Sequence, residues 1–200
     1  MLKKVSDKLS QYPGIYTLLR KGIEFNFRTQ KKIISEEFGE NSGLVLDLPS
    51  GVGEFSVFFD KENYVGVDLD ENYVEYGKKK YGKKLVVGDA MALPFGEGYF
   101  DGALVSGFFH HLGFAEVERS LLETSRVLKD GGKMLLIEDS PGSSFVTKKL
   151  QKYDVGANIR PMEDYISVLE KHFEIEKKYP VKSGFWTYSV FVCKKKSFEL

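Results

Sequence analysis

The chain has 200 residues and a mass of 22.7 kDa, and is 42% hydrophobic, 29% charged and 14% aromatic, a make-up that builds a packed core and excludes a disordered or collagen-like chain. Lysine plus arginine balance aspartate plus glutamate at 29 each, so no overall field draws the protein to nucleic acid, membrane or polyanions. Cys193 is the single cysteine, which excludes an internal disulfide framework and a cysteine-rich zinc site and fits a reducing compartment.

The length suits one domain over residues 1–200. Lys3-Lys4 is not followed by an apolar stretch of signal-peptide length, and no run reaches the roughly 20 residues that span a bilayer. A cytoplasmic protein without a membrane partner is expected. Residues 1–40 carry helical spacing, with Ile23, Phe27 and Phe38 set among charges and Pro13-Gly14 as an interruption, and are read as two or three helices. Tyr12, Tyr16, Phe25, Phe27 and Arg28 lie in this segment, and packing of helices on a sheet is their plainest role.

From residue 43 short apolar runs alternate with segments of helical period, the pattern of a parallel sheet covered by helices on both faces. Leu44–Leu48, Tyr64–Asp68, Leu85–Asp89, Gly102–Ser106 and Met134–Glu138 read as five buried strands. In such a doubly wound α/β sheet, ligands bind beyond the carboxyl ends of the strands near the point where strand order reverses, so Asp47, Asp68 and Asp89 are expected on one rim. Residues 140–160 read as a loop or cover. Phe173–Tyr179 and Thr187–Val192 predict a terminal hairpin joined by a segment holding Pro180 and Gly184. The lysine runs at 78–84 and 194–196 read as solvated element ends rather than an RNA track, because aromatic residues are not interleaved with them.

The segment Leu46-Asp47-Leu48-Pro49-Ser50-Gly51-Val52-Gly53-Glu54 sets a strand, an acid, a glycine-containing turn and a helix start in series, where a ligand can approach the backbone closely. A carboxylate at Asp68 suits a pair of hydroxyl donors. Asp70 is the better cap for the helix that begins at Glu71. A dinucleotide fingerprint would need glycine three positions after Gly53, where Ser56 stands. Here the chain resembles the class I S-adenosylmethionine-dependent methyltransferases of the small-molecule, type 11 kind. The resemblance covers about residues 43–139 and includes Gly88-Asp89-Ala90-Met91, Ser106-Gly107-Phe108-Phe109-His110-His111 and Arg126–Lys133; Pro49 replaces the first glycine of the family's loop.

The resemblance implies a mostly parallel seven-stranded sheet with an antiparallel last strand. It also implies S-adenosylmethionine as cofactor, leaving as S-adenosylhomocysteine, with contacts from Asp47, Pro49, Gly51, Gly53, Asp68, Leu69, Asp89, Ala90, Met91 and Ser106. Residues 1–40 would cover the site, 43–139 would bind the cofactor, and 140–200 would hold a variable segment, a helix and the hairpin. Tyr153 and Arg160 lie in that variable segment, where an ion pair or loop anchor is the plainer role for Arg160.

His110 and His111 follow the fourth strand and are the candidate proton acceptors. No third ligand at metal spacing accompanies them, so no metal is expected. Holding donor and nucleophile in line supplies roughly 7–11 kcal/mol, against about 3–5 kcal/mol for a positioned base, so a dedicated base is not required. The acceptor is expected to be a small molecule. Alternatives are a noncatalytic cofactor-binding or scaffold protein, an NAD(P)-dependent oxidoreductase and an RNA methyltransferase.

Overall fold

A computed structural model describes residues 11–39, 42–142, 147–148, 151, 158–184 and 186–197, with only the backbone of Tyr16 and Ile23; Tyr153 lies outside them. Two helices come first, α1 (Pro13–Ile23) and α2 (Arg28–Phe38). Pro13 opens α1 instead of interrupting a helix, because proline at the first helical position has no N–H to leave unpaired. The break falls later, at Phe25, Asn26 and Phe27, with φ of 52°, 59° and 55°.

There follow β1 (Val45–Asp47), β2 (Tyr64–Asp68), α3 (Glu71–Tyr81), β3 (Lys84–Val87), β4 (Phe100–Ser106), α4 (Phe114–Val127), β5 (Leu128–Asp139), α5 (Met162–Leu169), β6 (Phe173–Ser183) and β7 (Trp186–Lys195). The seven strands form one sheet in the order β3-β2-β1-β4-β5-β7-β6. β1 to β5 run parallel, and β7 is antiparallel to both β5 and β6. The doubly wound sheet and its antiparallel last strand are as expected. The hairpin is longer than its apolar runs: Pro180 lies inside β6, opposite Ser189. β6 is an edge strand, where proline's missing N–H breaks no ladder.

Alternate residues of each strand face opposite sides. Leu46, Val65, Val67, Ala103, Val105 and Leu136 join Val117 and Leu121 of α4 and Tyr165 and Leu169 of α5 in one core. Val45, Tyr64, Leu104, Leu135 and Ile137 join Ile33, Ile34 and Phe38 of α2 in the other. Strand order reverses between β1 and β4, which opens a crevice at their carboxyl ends. Among the described residues no helix is long and apolar enough to cross a membrane.

Candidate active site

The turn after β1 is built on backbone bonds. Ser50 N–H donates to Val67 O at 2.8 Å, and Gly53 N–H donates to Ser50 O at 2.8 Å. Gly51 and Gly53 have φ of 53° and 75°, the left-handed region where glycine is unstrained. A short 3-10 helix over Glu54–Phe58, not an α-helix, follows Gly53. Gly51 N–H donates to Asp68 Oδ2 at 2.7 Å, and Asp70 N–H donates to Asp68 Oδ1 at 3.0 Å. Burial lifts the Asp68 carboxyl above its ordinary value, against the pull of these amides. Each oxygen keeps a further lone pair. Pro49, Gly51, Asp68 and Ser106 line one cleft.

Asp47 lies behind that wall, fully buried, and accepts from the Tyr64 hydroxyl at 2.6 Å. Burial pushes its carboxyl up to about 7, with the Tyr64 hydrogen bond opposing and the Asp68 charge adding. Gly53 also stands off the cleft wall. Beyond β3, Met91 N–H donates to the exposed Asp89 carboxylate at 2.8 Å, while Ala90 is buried. Leu69 leaves the end of β2 with 73% of its surface exposed. Leu69, Asp89, Ala90 and Met91 follow the carboxyl ends of β2 and β3, and none of them is among the residues that line the cleft. Asp70 caps α3 as expected, accepting from Asn72 N–H at 2.8 Å.

The N-terminal helices form the opposite wall. Glu54 pairs with Lys21 of α1 at 2.8 Å and Lys31 of α2 at 2.9 Å and accepts from the Tyr81 hydroxyl. Burial pushes the Glu54 carboxyl up, but these three partners outweigh it and hold it below its usual range. Glu24, buried at the end of α1, pairs with Arg20 and accepts from Gln30 Nε2 at 3.0 Å and the Tyr188 hydroxyl at 2.7 Å. Phe27 meets Phe55 edge-on, with ring centres 5.9 Å apart.

At the β4–β5 end, Glu138 is completely buried. Its Oε2 accepts from the backbone N–H of Phe108 at 2.9 Å and of Phe109 at 2.5 Å. Its Oε1 accepts from Asp139 N–H at 2.9 Å and lies 2.5 Å from His110 Nδ1, which donates because a carboxylate only accepts. Burial pushes Glu138 up, yet His110 and the amides leave it below the ordinary carboxylate range. His110 is therefore buried beneath the rim, and His111 is exposed beside it with ring centres 4.0 Å apart. Neither lines the cleft; Asp139 does. Arg160 anchors the 109–112 turn, donating to Phe109 O at 2.9 Å and to Leu112 O at 2.5 Å.

A family model described as a methyltransferase domain matches residues 46–136. A demethylmenaquinone methyltransferase of Staphylococcus saprophyticus is 31% identical over 161 residues, covering 75% of this chain and 68% of its own. The chain spans 60% of the length of the Staphylococcus aureus counterparts. The chain belongs to the class I S-adenosylmethionine-dependent methyltransferases. Its fold is shared by the solved PH0226 protein of Pyrococcus horikoshii, at TM-score 0.69 and 22% identity over 86% of this chain and 92% of that one. A methyltransferase of Methanosarcina mazei superposes at 0.69 with 17% identity, over 82% and 97% of the two chains.

The methyltransferase's cleft suits S-adenosylmethionine on its own chemistry. Asp68 is a fixed carboxylate with lone pairs left for a ribose diol. A side chain on Gly51 would find its nearest neighbour 3.9 Å away, at Tyr73, so the backbone there is open to a ligand. Leu69 and Asp89, beyond the ends of β2 and β3, present an exposed apolar side chain and an exposed carboxylate. The wall residues Arg20, Glu24, Gln30, Glu54, Asp139 and Tyr188 were not marked by the sequence reading. The signal was there for three of them: Arg20 and Glu24 sit at i, i+4 spacing in the helical segment, and Glu138-Asp139 ends a strand in acids, as the strands ending in Asp47 and Asp68 do.

Proposed function

We propose that this methyltransferase passes the methyl group of S-adenosylmethionine to a small-molecule acceptor held between α1–α2 and the ends of β4 and β5. In this reading Asp68 holds the ribose, and Pro49, Gly51 and Gly53 admit the amino-acid part with Asp47 buttressing the loop from behind. Leu69, Asp89, Ala90 and Met91 enclose the adenine, and Ser106 floors the cleft. Residues 43–139 make the cofactor-binding part, 1–40 its cover, and 140–200 the variable remainder. His110 acts as a positioning residue through Glu138. The observation that carries the reading is the Asp68 carboxylate, oriented by two backbone amides and still able to accept.

Bound there, S-adenosylmethionine supplies an electrophilic methyl group on a sulfonium. The chain's part is to hold the acceptor's nucleophile in line and to keep water out with Phe27, Phe55 and Tyr188, and positioning of this kind is worth roughly 7–11 kcal/mol. Demethylmenaquinone, named for the Staphylococcus relatives, belongs among the acceptors to be tried. Calorimetric titration of S-adenosylhomocysteine into the wild type and Asp68→Ala tests the cofactor site. Hydrogen bonds to a charged acceptor are worth about 1.5–3 kcal/mol, so the variant should bind at least about tenfold more weakly. Equal affinities would remove the ribose assignment.

A further inference from the structure

Asp139 stands at the end of β5 and Asp68 at the end of β2, three strand spacings or about 14 Å apart across the cleft that both line. Asp139 is 3% exposed, and its carboxylate accepts no hydrogen bond from the described residues. Groups of both signs face it: Arg20 and Glu24 from α1, His110 from the turn after β4, Glu138 beside it, Tyr188 from β7 and Tyr165 from α5. Burial dominates and pushes its carboxyl up to about 7, against the charges of His110 and Arg20. A carboxyl raised toward neutrality in this way is suited to take a proton from a ligand near neutral pH.

The same wall has a second unspent acceptor. Gln30 lines the cleft, and its Oε1 is buried without a partner among the described residues. Its Nε2 and the Tyr188 hydroxyl are turned onto Glu24, which also pairs with Arg20. Apart from the Arg20 guanidinium, which is drawn onto Glu24, what this wall offers a ligand is acceptors, with the flat apolar faces of Phe27, Phe55 and Tyr188 around them. A ligand that brings donors supplies the bonds these acceptors lack, whereas one without donors leaves them unmet.

We propose that this wall binds an aromatic acceptor whose nucleophile is a hydroxyl or amine and which carries a second hydrogen-bond donor, and that Asp139 takes the nucleophile's proton. The proposal rests on the methyl-transfer reading above and adds the substrate class and the base. In the step, the acceptor's oxygen or nitrogen attacks the methyl carbon and forms the new C–O or C–N bond. The S–CH3 bond breaks with its electron pair kept by sulfur, which becomes the neutral thioether. The proton leaves the nucleophile for the Asp139 carboxylate and later passes to water.

The test uses protein saturated with S-adenosylhomocysteine and two probes of one size: 4-aminophenol, with donors at both ends, and p-xylene, with methyl groups in their place. Calorimetry should show 4-aminophenol binding to the wild type, at least tenfold weaker binding to Asp139→Asn, and at least tenfold weaker binding of p-xylene to the wild type. Carbon-13 titration of the wild-type Asp139 carboxyl, which needs no variant to fold, should give a midpoint near neutrality. Equal binding of the two probes, no binding of 4-aminophenol, an unchanged affinity in Asp139→Asn or a midpoint near 4 would each overturn the proposal. S-adenosylhomocysteine affinity is measured first: its loss in the wild type would strike the methyl-transfer reading, whereas intact cofactor binding with failed probes would strike the acceptor assignment alone.

Discussion

The backbone N–H of Gly51 donates to the Asp68 carboxylate at 2.7 Å, so the turn after β1 and the acid ending β2 hold one another in place. Gly51→Ala tests how much the left-handed turn contributes. A Cβ there meets nothing closer than 3.9 Å, so only the φ of 53° is at issue, a strain of about 1–2 kcal/mol. Gly53→Ala adds a 3.2 Å approach to Leu85 and should lose more. Urea unfolding of the two variants should rank them in that order.

Glu138 accepts from three backbone amides and His110. Glu138→Gln would turn an amide NH2 toward one set of these donors inside a buried site. The expected loss is about 3–5 kcal/mol, the range for breaking a buried ion pair from one side. The urea midpoint checks it, and a midpoint within error of the wild type would show that the 108–111 turn stands without the carboxylate.

Glu54 fastens α1 and α2 over the cleft through Lys21 and Lys31. Partly exposed pairs of this kind contribute about 0.2–1 kcal/mol each. Glu54→Gln should speed amide exchange in residues 17–31 by about fivefold while leaving β4 and β5 unchanged. High salt should narrow the difference between wild type and variant, because it screens the pairs in the wild type.

Asp47 and Asp139 both hold their protons up to about 7 in the native state, whereas unfolded aspartate releases its proton near 3.8. Between those values the native state binds more protons than the unfolded one, so stability falls as pH rises and levels off above about 7. Each group contributes a slope of at most about 1.4 kcal/mol per pH unit. Glu54 and Glu138, held below their ordinary 4.5, act under that window. His172, lowered by burial from 6.5, opposes weakly because it is half-buried. The melting temperature of the cofactor-free protein should therefore be higher at pH 5 than at pH 7.5, and Asp139→Asn should flatten the slope.

The strands were legible because buried parallel strands are short apolar runs and Leu46, Val65 and Leu136 leave no other reading. Asp68 and Ser106 were legible because the topology dictates where strand ends go. The cover was harder to read. Arg20, Glu24 and Gln30 look like surface residues in an isolated helix, and only the fold that brings Tyr188 of β7 against Glu24 turns them inward. Pro13 was misread as a break because a proline stops a helix from within and starts one from its first turn, and sequence alone does not say which. The histidines were visible as a pair but not the burial of His110, which depends on Glu138 arriving from a neighbouring strand.

Pro180, seated in the outermost strand, also bears on life in a crowded solution. Along that margin it presents no N–H, and Glu174, Glu176, Lys177, Lys178 and Lys182 stand exposed around it. A second molecule trying to zip onto the border would meet a gap in the ladder and a fringe of charge. The long hairpin can thus extend the sheet without offering a template for fibres.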